Sequence, residues 1–399
     1  MTRLAGRHVV LGVSGGIASY KSCILARRLV EAGATVDVVM TRAATEFVGP
    51  VTFEALTGRP VVTSLWTGGR ALDHVRLARD ADLVLVAPAT AQLLARAALG
   101  LADDLLTALL LARRGPVVAA PAMNDRMFSH AATRQNLRTL AARGWQLVGP
   151  DLGPLAEGEA EGPGRMSEPD TLFAYAARAL AGASPWRGRH VLVTAGPTRE
   201  ALDPVRVITN PSSGRMGFAL AQAAWRRGAE VTLIAGPTSL EPPIGPEVVH
   251  VVTTAELQRA VARRLGRADA LFMAAAPADF QPRRRARAKL RRGSRRELSI
   301  QLQPTPDVLT ATRPRRRRGS VVVGFALEVG RGLASARAKL ADKALDFIVL
   351  NDAREPGAGF EVGTNKVTIL GKMGLKRALP LMPKREVAEA ILDTVESAL

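Results

Sequence analysis

Short apolar runs alternate with longer amphipathic stretches along the chain, and they do so in two series. In the first, "HVVLGV" (8–13), "VDVVM" (36–40), "LVLVAP" (83–88), "VVAAP" (117–121) and "WQLV" (145–148) are apolar on both faces, as buried parallel strands are. Helical spacing between them predicts helices over 17–32, 90–99, 104–113 and 131–143. The pattern pauses at "ASPWRG" (183–188). It restarts with "HVLVTAGPT" (190–198), "EVTLIAGPT" (230–238), "VVHVV" (248–252), "DALFMAAAPAD" (269–279), "SVVVGFALE" (320–328) and "DFIVLND" (346–352). Strands spaced by helices predict an α/β fold of two doubly wound Rossmann-like domains, 1–183 and 189–399, with ligand loops at the carboxyl ends of the strands. A length of 399 residues, too long for one ordinary core, agrees.

One stretch breaks the pattern. "GPLAEGEAEGPGRM" (153–166) follows neither period and sets Glu157, Glu159 and Glu161 among glycines, so it reads as a long, mobile surface loop. Loops of that length are lids over a site or plain disorder.

Composition narrows the class. The chain is 47% hydrophobic and 4% aromatic, a globular α/β profile. No stretch reaches the ~18 uninterrupted apolar residues of a membrane helix. The best candidate, 83–102, is broken by Pro88, Gln92 and Arg96. The first apolar run is too short for a signal peptide, and a soluble cytoplasmic protein is expected. The lone Cys23 excludes an internal disulfide framework and a cysteine-based zinc site, and five histidines do not suggest a metal cluster.

The net charge of +19 lies mostly between Gln281 and Arg318, where arginines at 283–285, 287, 291, 292, 295, 296, 313 and 315–318 accompany Lys289. Such a patch could bind nucleic acid, form a solvated basic surface, or attract a small anionic substrate. Only Phe280 stands beside these arginines, so base stacking has little support.

Several motifs sit where predicted strands end. "GVSGGIASYK" (12–21) places Ser14, Gly15 and Gly16 between a strand and a helix, where backbone N–H groups favour phosphate. It is not G-x-G-x-x-G, and such turns often only close a turn. "PATAQ" (88–92) and "PAMNDRMF" (121–128) also follow strands, and Thr90 and Asn124 would equally serve as helix N-caps. His74 stands just before a helical segment, where a lone histidine is a packing residue or a base. "AGPTREALDPVRVITNPSSGRMG" (195–217) offers Ser212, Ser213 and Gly214 to a triphosphate, without the G-K-[ST] of a P-loop.

Together these stretches resemble one family over nearly the whole chain, the bacterial bifunctional phosphopantothenoylcysteine decarboxylase / phosphopantothenate–cysteine ligases. The first half resembles homo-oligomeric flavin-containing cysteine decarboxylases through "SGGIASYK", "DH" before "VRL", "PATA", "GLADDLL", "PAMN" and "GRM". The second half resembles the ligase through the 195–217 stretch, "AAPADF", Lys289, "TPDVL", "VGFALE", "KLADKALDFIVLND" and "GFEVGTNKVTIL".

The resemblance implies FMN in the first half. Its phosphate would lie on Ser14, Gly15, Gly16 and Ile17, with Thr41, Ala43, Thr90, Gln92 and Ala122 lining the rest. Asn124 matches the ligand of the substrate carboxylate and His74 the base. Flavin oxidation of the thiol would create the electron sink that an acylated cysteine lacks. In relatives the 153–166 stretch is a lid whose cysteine donates a proton. Here matching "LAEGE" puts Glu157 at that place and counting back from "GRM" puts Gly158 there, and holding Glu157 protonated at pH 7 needs a shift of roughly 2.7 units.

In the second half the resemblance implies activation of 4′-phosphopantothenate by CTP, then attack by the amine of cysteine. Asn210 matches the residue acting on the acyl intermediate. Lys289, ten positions from Asp279, matches the lysine that stabilises phosphate charge. Asp279, Thr305, Pro306, Asp307, Val308, Phe325, Lys339 and Lys343 match nucleotide contacts. Magnesium would arrive on the triphosphate, with protein ligands unknown. No nucleic-acid or membrane partner is implied, and flavin-domain trimers with ligase-domain dimers would make a homo-oligomer.

Overall fold

The computed structural model describes residues 4–66, 72–154, 161–182, 184–291, 298–328, 332–352, 354–357, 359 and 362–399. It divides into two units, Met1–Gly182 and Ala183–Leu399.

The strands of the first unit are β1 (His8–Val13), β2 (Thr35–Met40), β3 (Leu83–Ala89), β4 (Val117–Pro121) and β5 (Gln146–Leu147). They form one parallel sheet in the order β2-β1-β3-β4-β5. Alternation along each strand feeds two cores. Val9, Leu11 and Val13 pack with Leu25 and Leu29 of α1 (Ser19–Glu31), Phe53 of α3 (Pro50–Thr57, after the short α2, Arg42–Thr45) and Leu172 of the later helix Pro169–Ala179. Val10 packs instead with Leu77 of α4 (Asp73–Asp80), Leu94 of α5 (Ala91–Leu99) and Leu106 of α6 (Leu105–Ala112). A Cβ on Gly12 would reach to 2.6 Å of the Leu106 Cδ1, so glycine there leaves room for that side chain against the strand. The layer closes with α7 (Asp125–Ser129) and α8 (Ala131–Ala142), and the 169–179 helix is α9.

The structure corrects the reading of 153–166 as a loop throughout. Its two ends are β6 (Asp151–Pro154) and β7 (Glu161–Arg165), an antiparallel pair. Met166 and Ser167 beyond it are buried. Glycine and proline hid the strands because backbone hydrogen bonding, not an apolar face, holds them. Residues 155–160, Glu157 and Glu159 among them, lie outside the described residues.

In the second unit β8 (His190–Ala195) is followed by a β9–β10 hairpin (Arg199–Ala201, Val207–Thr209), α10 (Arg215–Arg226), β11 (Glu230–Ala235), β12 (Glu247–His250), α11 (Thr254–Arg264) and β13 (Ala270–Met273). Then come the antiparallel β14–β15 ribbon (Phe280–Pro282, Leu302–Pro304), α12 (Val308–Thr312), β16 (Val321–Glu328), α13 (Gly332–Asp342) and β17 (Phe347–Asp352). The chain ends with β18 (Thr364–Asn365), β19 (Thr368–Gly371), β20 (Lys376–Ala378), β21 (Met382–Pro383) and α14 (Lys384–Val395).

The main sheet runs β12-β11-β8-β13-β16-β17-β19-β20. It is parallel through β17 and closed by the antiparallel β19 and β20. The first six strands follow the doubly wound order. Leu192, Leu271, Val322 and Ile348 share a core with α11, α12 and α13, while α10 packs on β8 and on α14. In both units the strand order reverses beside the first strand, at β1/β3 and at β8/β13. Ligand crevices of such sheets open at that point.

Candidate functional sites

In the first unit the reversal point is a cavity of about 440 Å³, lined by Ser14, Gly15, Thr41, Arg42, Ala43, Glu46, Thr90, Gln92, Leu93, Arg96, Asp103 and Asp104. Six of the expected flavin residues therefore meet in one place: Ser14, Gly15, Thr41, Ala43, Thr90 and Gln92. The size falls within the roughly 300–1,000 Å³ of cofactor sites.

Ser14 ties the two strand ends together. Its hydroxyl donates to the Pro88 carbonyl at 2.8 Å and accepts from the Thr90 N–H at 3.1 Å. A Cβ on Gly15 would stand 2.4 Å from the Ala43 Cβ and 2.8 Å from its carbonyl carbon. Only glycine allows the β1–α1 loop this close to the β2–α2 loop, which makes the cradle a flavin phosphate would need. Thr41 and Thr90 also cap α2 and α5, so the capping and lining roles coexist.

The remaining expected residues are not part of its lining. Gly16 is in the same loop, its carbonyl accepting from Ser19, and Ile17 is exposed. Ala122 follows β4 with its N–H on the Ala89 carbonyl at 3.1 Å. Asn124 caps α7, accepting from the Arg126 N–H at 2.9 Å. Met123 donates to the Gly164 carbonyl at 3.0 Å, so the β6–β7 arm is rooted on the "PAMN" loop. His74 lies within α4 rather than before it, and its Nδ1 is buried with no hydrogen-bond partner among the described residues.

The "GLADDLL" stretch (100–106) also reaches this cavity. Arg96 pairs with Asp103 at 2.6 Å and Asp104 at 3.0 Å, and Asp104 caps α6 in a capping box with Thr107. The two aspartates thus build one wall of the cavity. The signal was an aspartate three residues before a threonine at the head of an apolar run.

In the second unit glycines again set the crevice. A Cβ on Gly236 would fall 1.8 Å from the Pro197 carbonyl oxygen, and one on Gly217 would fall 2.5 Å from the Ala195 Cβ. The loops after β8 and β11 and the first turn of α10 are thus packed backbone on backbone. The Asn210 amide donates to the carbonyls of Ala276 (3.3 Å) and Pro277 (2.9 Å). Thr305 donates its N–H to the Asp279 carbonyl at 2.9 Å and its hydroxyl to the Ala278 carbonyl at 2.6 Å. Asn210, Asp279 and Thr305 therefore converge on the loop after β13, with Pro306 following.

Two expected contacts gain structural roles. Val308 is a core residue, its side chain packed among those under the second sheet. Asp307 caps α12 and pairs with Lys343 at 3.1 Å, which helps hold its carboxyl below the ordinary range against the opposing effect of burial. Lys339 pairs with Glu328 at 2.5 Å, and Phe325 is half-buried on β16.

Among the described residues the basic segment does not form one patch. Residues 283–291 leave the β14–β15 ribbon beside the crevice, and Lys289 is exposed there. Arg317 instead pairs with Asp269, just before β13, and Arg316 donates to the carbonyls of Ala344 (2.7 Å), Lys343 (3.1 Å) and Leu309 (3.2 Å). These two arginines are fastenings at the amino ends of the strands, not a solvated run or a funnel at the crevice. Among the described residues no group of three or more His, Cys, Asp or Glu could hold a metal ion, and no helix is long and apolar enough to cross a membrane.

Comparisons with known proteins match both units. Residues 1–180 fit the Flavoprotein family, and residues 186–399 fit the DNA/pantothenate metabolism flavoprotein C-terminal domain. The chain is 44% identical over 402 residues to the coenzyme A biosynthesis bifunctional protein CoaBC of Vibrio cholerae, covering 100% of both chains. It is 46% identical over 407 residues to the protein of that name from Mycobacterium tuberculosis, covering 98% of this chain and 97% of the relative. For the Bacillus subtilis protein the identity is 43% over 397 residues, with 98% and 97% covered. With two such units in this order and full-length identity at this level, the chain belongs to the CoaBC family of bifunctional coenzyme A biosynthesis enzymes.

Proposed function

We propose that the two crevices divide the work of this coenzyme A biosynthesis enzyme as follows. The second unit joins 4′-phosphopantothenate to cysteine using CTP, and the first unit decarboxylates the product to 4′-phosphopantetheine. The observation carrying the reading is the convergence of Asn210, Asp279 and Thr305 on the loop after β13, at the point where the sheet order reverses.

In the ligase half a carboxylate lacks a leaving group, and transfer to the α-phosphate of CTP supplies one, with pyrophosphate released. Lys289, exposed beside the crevice, offsets the charge that develops on that phosphate. Asn210, its NH₂ on the 276 and 277 carbonyls, acts on the acyl intermediate. Asp279, Thr305 to Val308, Phe325, Lys339 and Lys343 hold the nucleotide. Magnesium accompanies the triphosphate.

In the decarboxylase half bound FMN would supply a two-electron oxidation of the thiol, making a carbon–sulfur electron sink, and would return the same two electrons to the ene-thiol left when CO₂ departs. The Ser14–Ile17 loop holds its phosphate, Thr41, Ala43, Thr90, Gln92 and Ala122 line the cavity, Asn124 binds the substrate carboxylate, and His74 takes a proton. Glu157 stands where relatives carry a cysteine. The protein works in the cytoplasm as a homo-oligomer on small molecules.

One assay tests both halves. Purified protein should be yellow and, given phosphopantothenate, CTP, cysteine and magnesium, should release pyrophosphate and form 4′-phosphopantetheine by liquid chromatography. Lys289→Gln should cut acyl-cytidylate formation, and Asn210→Asp should disturb its use. Pyrophosphate release without phosphopantetheine would restrict the chain to the ligase reaction.

A further inference from the structure

Asp203 is a carboxylate with no side-chain exposure, and it belongs to none of the contacts proposed above. Its Oδ1 accepts the N–H groups of Val205 at 2.7 Å and Arg206 at 2.8 Å, closing the turn between β9 and β10. Its Oδ2 accepts the N–H of Leu290 at 3.0 Å, with the Arg206 Nε 3.2 Å from the same oxygen. Four residues before Leu290, the Ala286 N–H donates to the Leu202 carbonyl at 2.9 Å. The span 286–290 is thus fastened at both ends to one turn, and the exposed Lys289 rises from it. A buried carboxylate persists only where its acceptors are filled, and here most donors are backbone. The Leu290 N–H is foremost among the groups that hold the Asp203 carboxyl below its ordinary range.

We propose that Asp203 is a positioning residue that fixes the backbone of 286–290, so that the Lys289 ammonium meets the nucleotide phosphate from a set place. The inference rests on the reading that Lys289 acts on that phosphate. A span ordered in advance does not have to be ordered when substrate binds, and misplacement by about 1 Å can cost on the order of 10²-fold in rate.

The test is a double-mutant cycle in the full-length protein, read as CTP-dependent pyrophosphate release. In Asp203→Asn, whichever way the amide faces, its NH₂ meets a backbone N–H that the carboxylate had accepted. Turnover should fall roughly tenfold or more, with the Michaelis constant for CTP changed less than about threefold. In the Lys289→Gln background Asp203→Asn should add nothing. If Lys289→Gln alone leaves turnover intact, the reading of Lys289 fails and the inference with it. If Lys289→Gln is slow and Asp203→Asn is either harmless alone or multiplies the loss in full, the positioning role is overturned while the reading of Lys289 stands. Should Asp203→Asn fold poorly, hydrogen exchange on the wild-type chain decides: the Leu290 amide should exchange at least about tenfold more slowly than an open amide, and free exchange there overturns the clamp.

Discussion

The buried ammonium of Lys21 donates to the Met166 carbonyl at 3.0 Å, joining "SYK" of the first helix to "GRM" at the root of the β6–β7 arm, 145 positions away. The same ammonium pairs with Glu168 at 2.9 Å, and Lys21 is the foremost reason that the Glu168 carboxyl lies below its ordinary range. The "SYK" and "GRM" motifs are therefore one mechanical joint. Lys21→Met should leave the Met166 carbonyl short of a donor and cost about 1–3 kcal/mol. Thermal unfolding followed by flavin release should show the first unit melting earlier, and hydrogen exchange over 161–166 should rise.

Neighbouring glycines should respond in opposite ways. A methyl on Gly15 would collide with Ala43 at 2.4 Å, whereas one on Gly16 would find its nearest neighbour, Thr90, at 3.6 Å. Gly15→Ala should weaken flavin retention at least about tenfold, in line with an overpacking cost of 1–3 kcal/mol, and Gly16→Ala should hold it within about threefold. Flavin fluorescence on dilution measures both.

Legibility followed the physics of each element. The strands β1, β3 and β4 were plain because helices cover both their faces, so every position after the half-buried His8 is an apolar residue or glycine. The β6–β7 arm was not, since its pairing is between backbones and its side chains follow no period. Thr41, Thr90 and Gln92 could be assigned to one site through strand ends alone, but the Arg96 wall needed the fold. The arginines could be counted but not placed: β16 separates Lys289 from Arg317, and only the strand order reveals that they lie at opposite ends of it.

At the foot of the first sheet the His8 Nε2–H donates to Asp37 at 2.7 Å, and Arg59 donates to the other oxygen at 2.6 Å. Burial pushes the Asp37 carboxyl up, but the bonds from His8 and Arg59 outweigh it and bring it to about 2. The bond to Asp37 is the foremost reason that His8 is raised above 6.5. A depressed carboxylate contributes stability above its unfolded pKa and loses it as pH falls through about 2. A raised imidazole contributes below its unfolded pKa and loses it as pH rises through its folded one. Both contributions are therefore complete between about pH 4 and pH 6.5. His8→Gln should lower stability by about 1 kcal/mol at pH 5.5 and by less at pH 8.5, as urea unfolding at the two pH values would show.

The arginines of 313–318 should prove unequal. Arg316 fastens α12 to the turn after α13 through three carbonyls, and burial lowers the affinity of its guanidinium for the proton. Arg316→Ala strands those carbonyls and should cost about 2–3 kcal/mol. Arg315 and Arg318 are exposed, and their loss should stay within about 0.5 kcal/mol. Their charge should also be silent in catalysis. The eight residues of β16 span about 26 Å between the two ends of the sheet, against a screening length of about 10 Å at 0.1 M salt. Replacing Arg315 and Arg318 by glutamine should leave the Michaelis constants for CTP and phosphopantothenate within about twofold at that salt. Replacing Arg283, Arg284 and Arg285, beside the crevice, should raise both constants at low salt and lose the effect as salt is added. A salt-dependent rise from the Arg315/Arg318 pair, with none from the 283–285 group, would reverse the assignment of which arginines steer substrate.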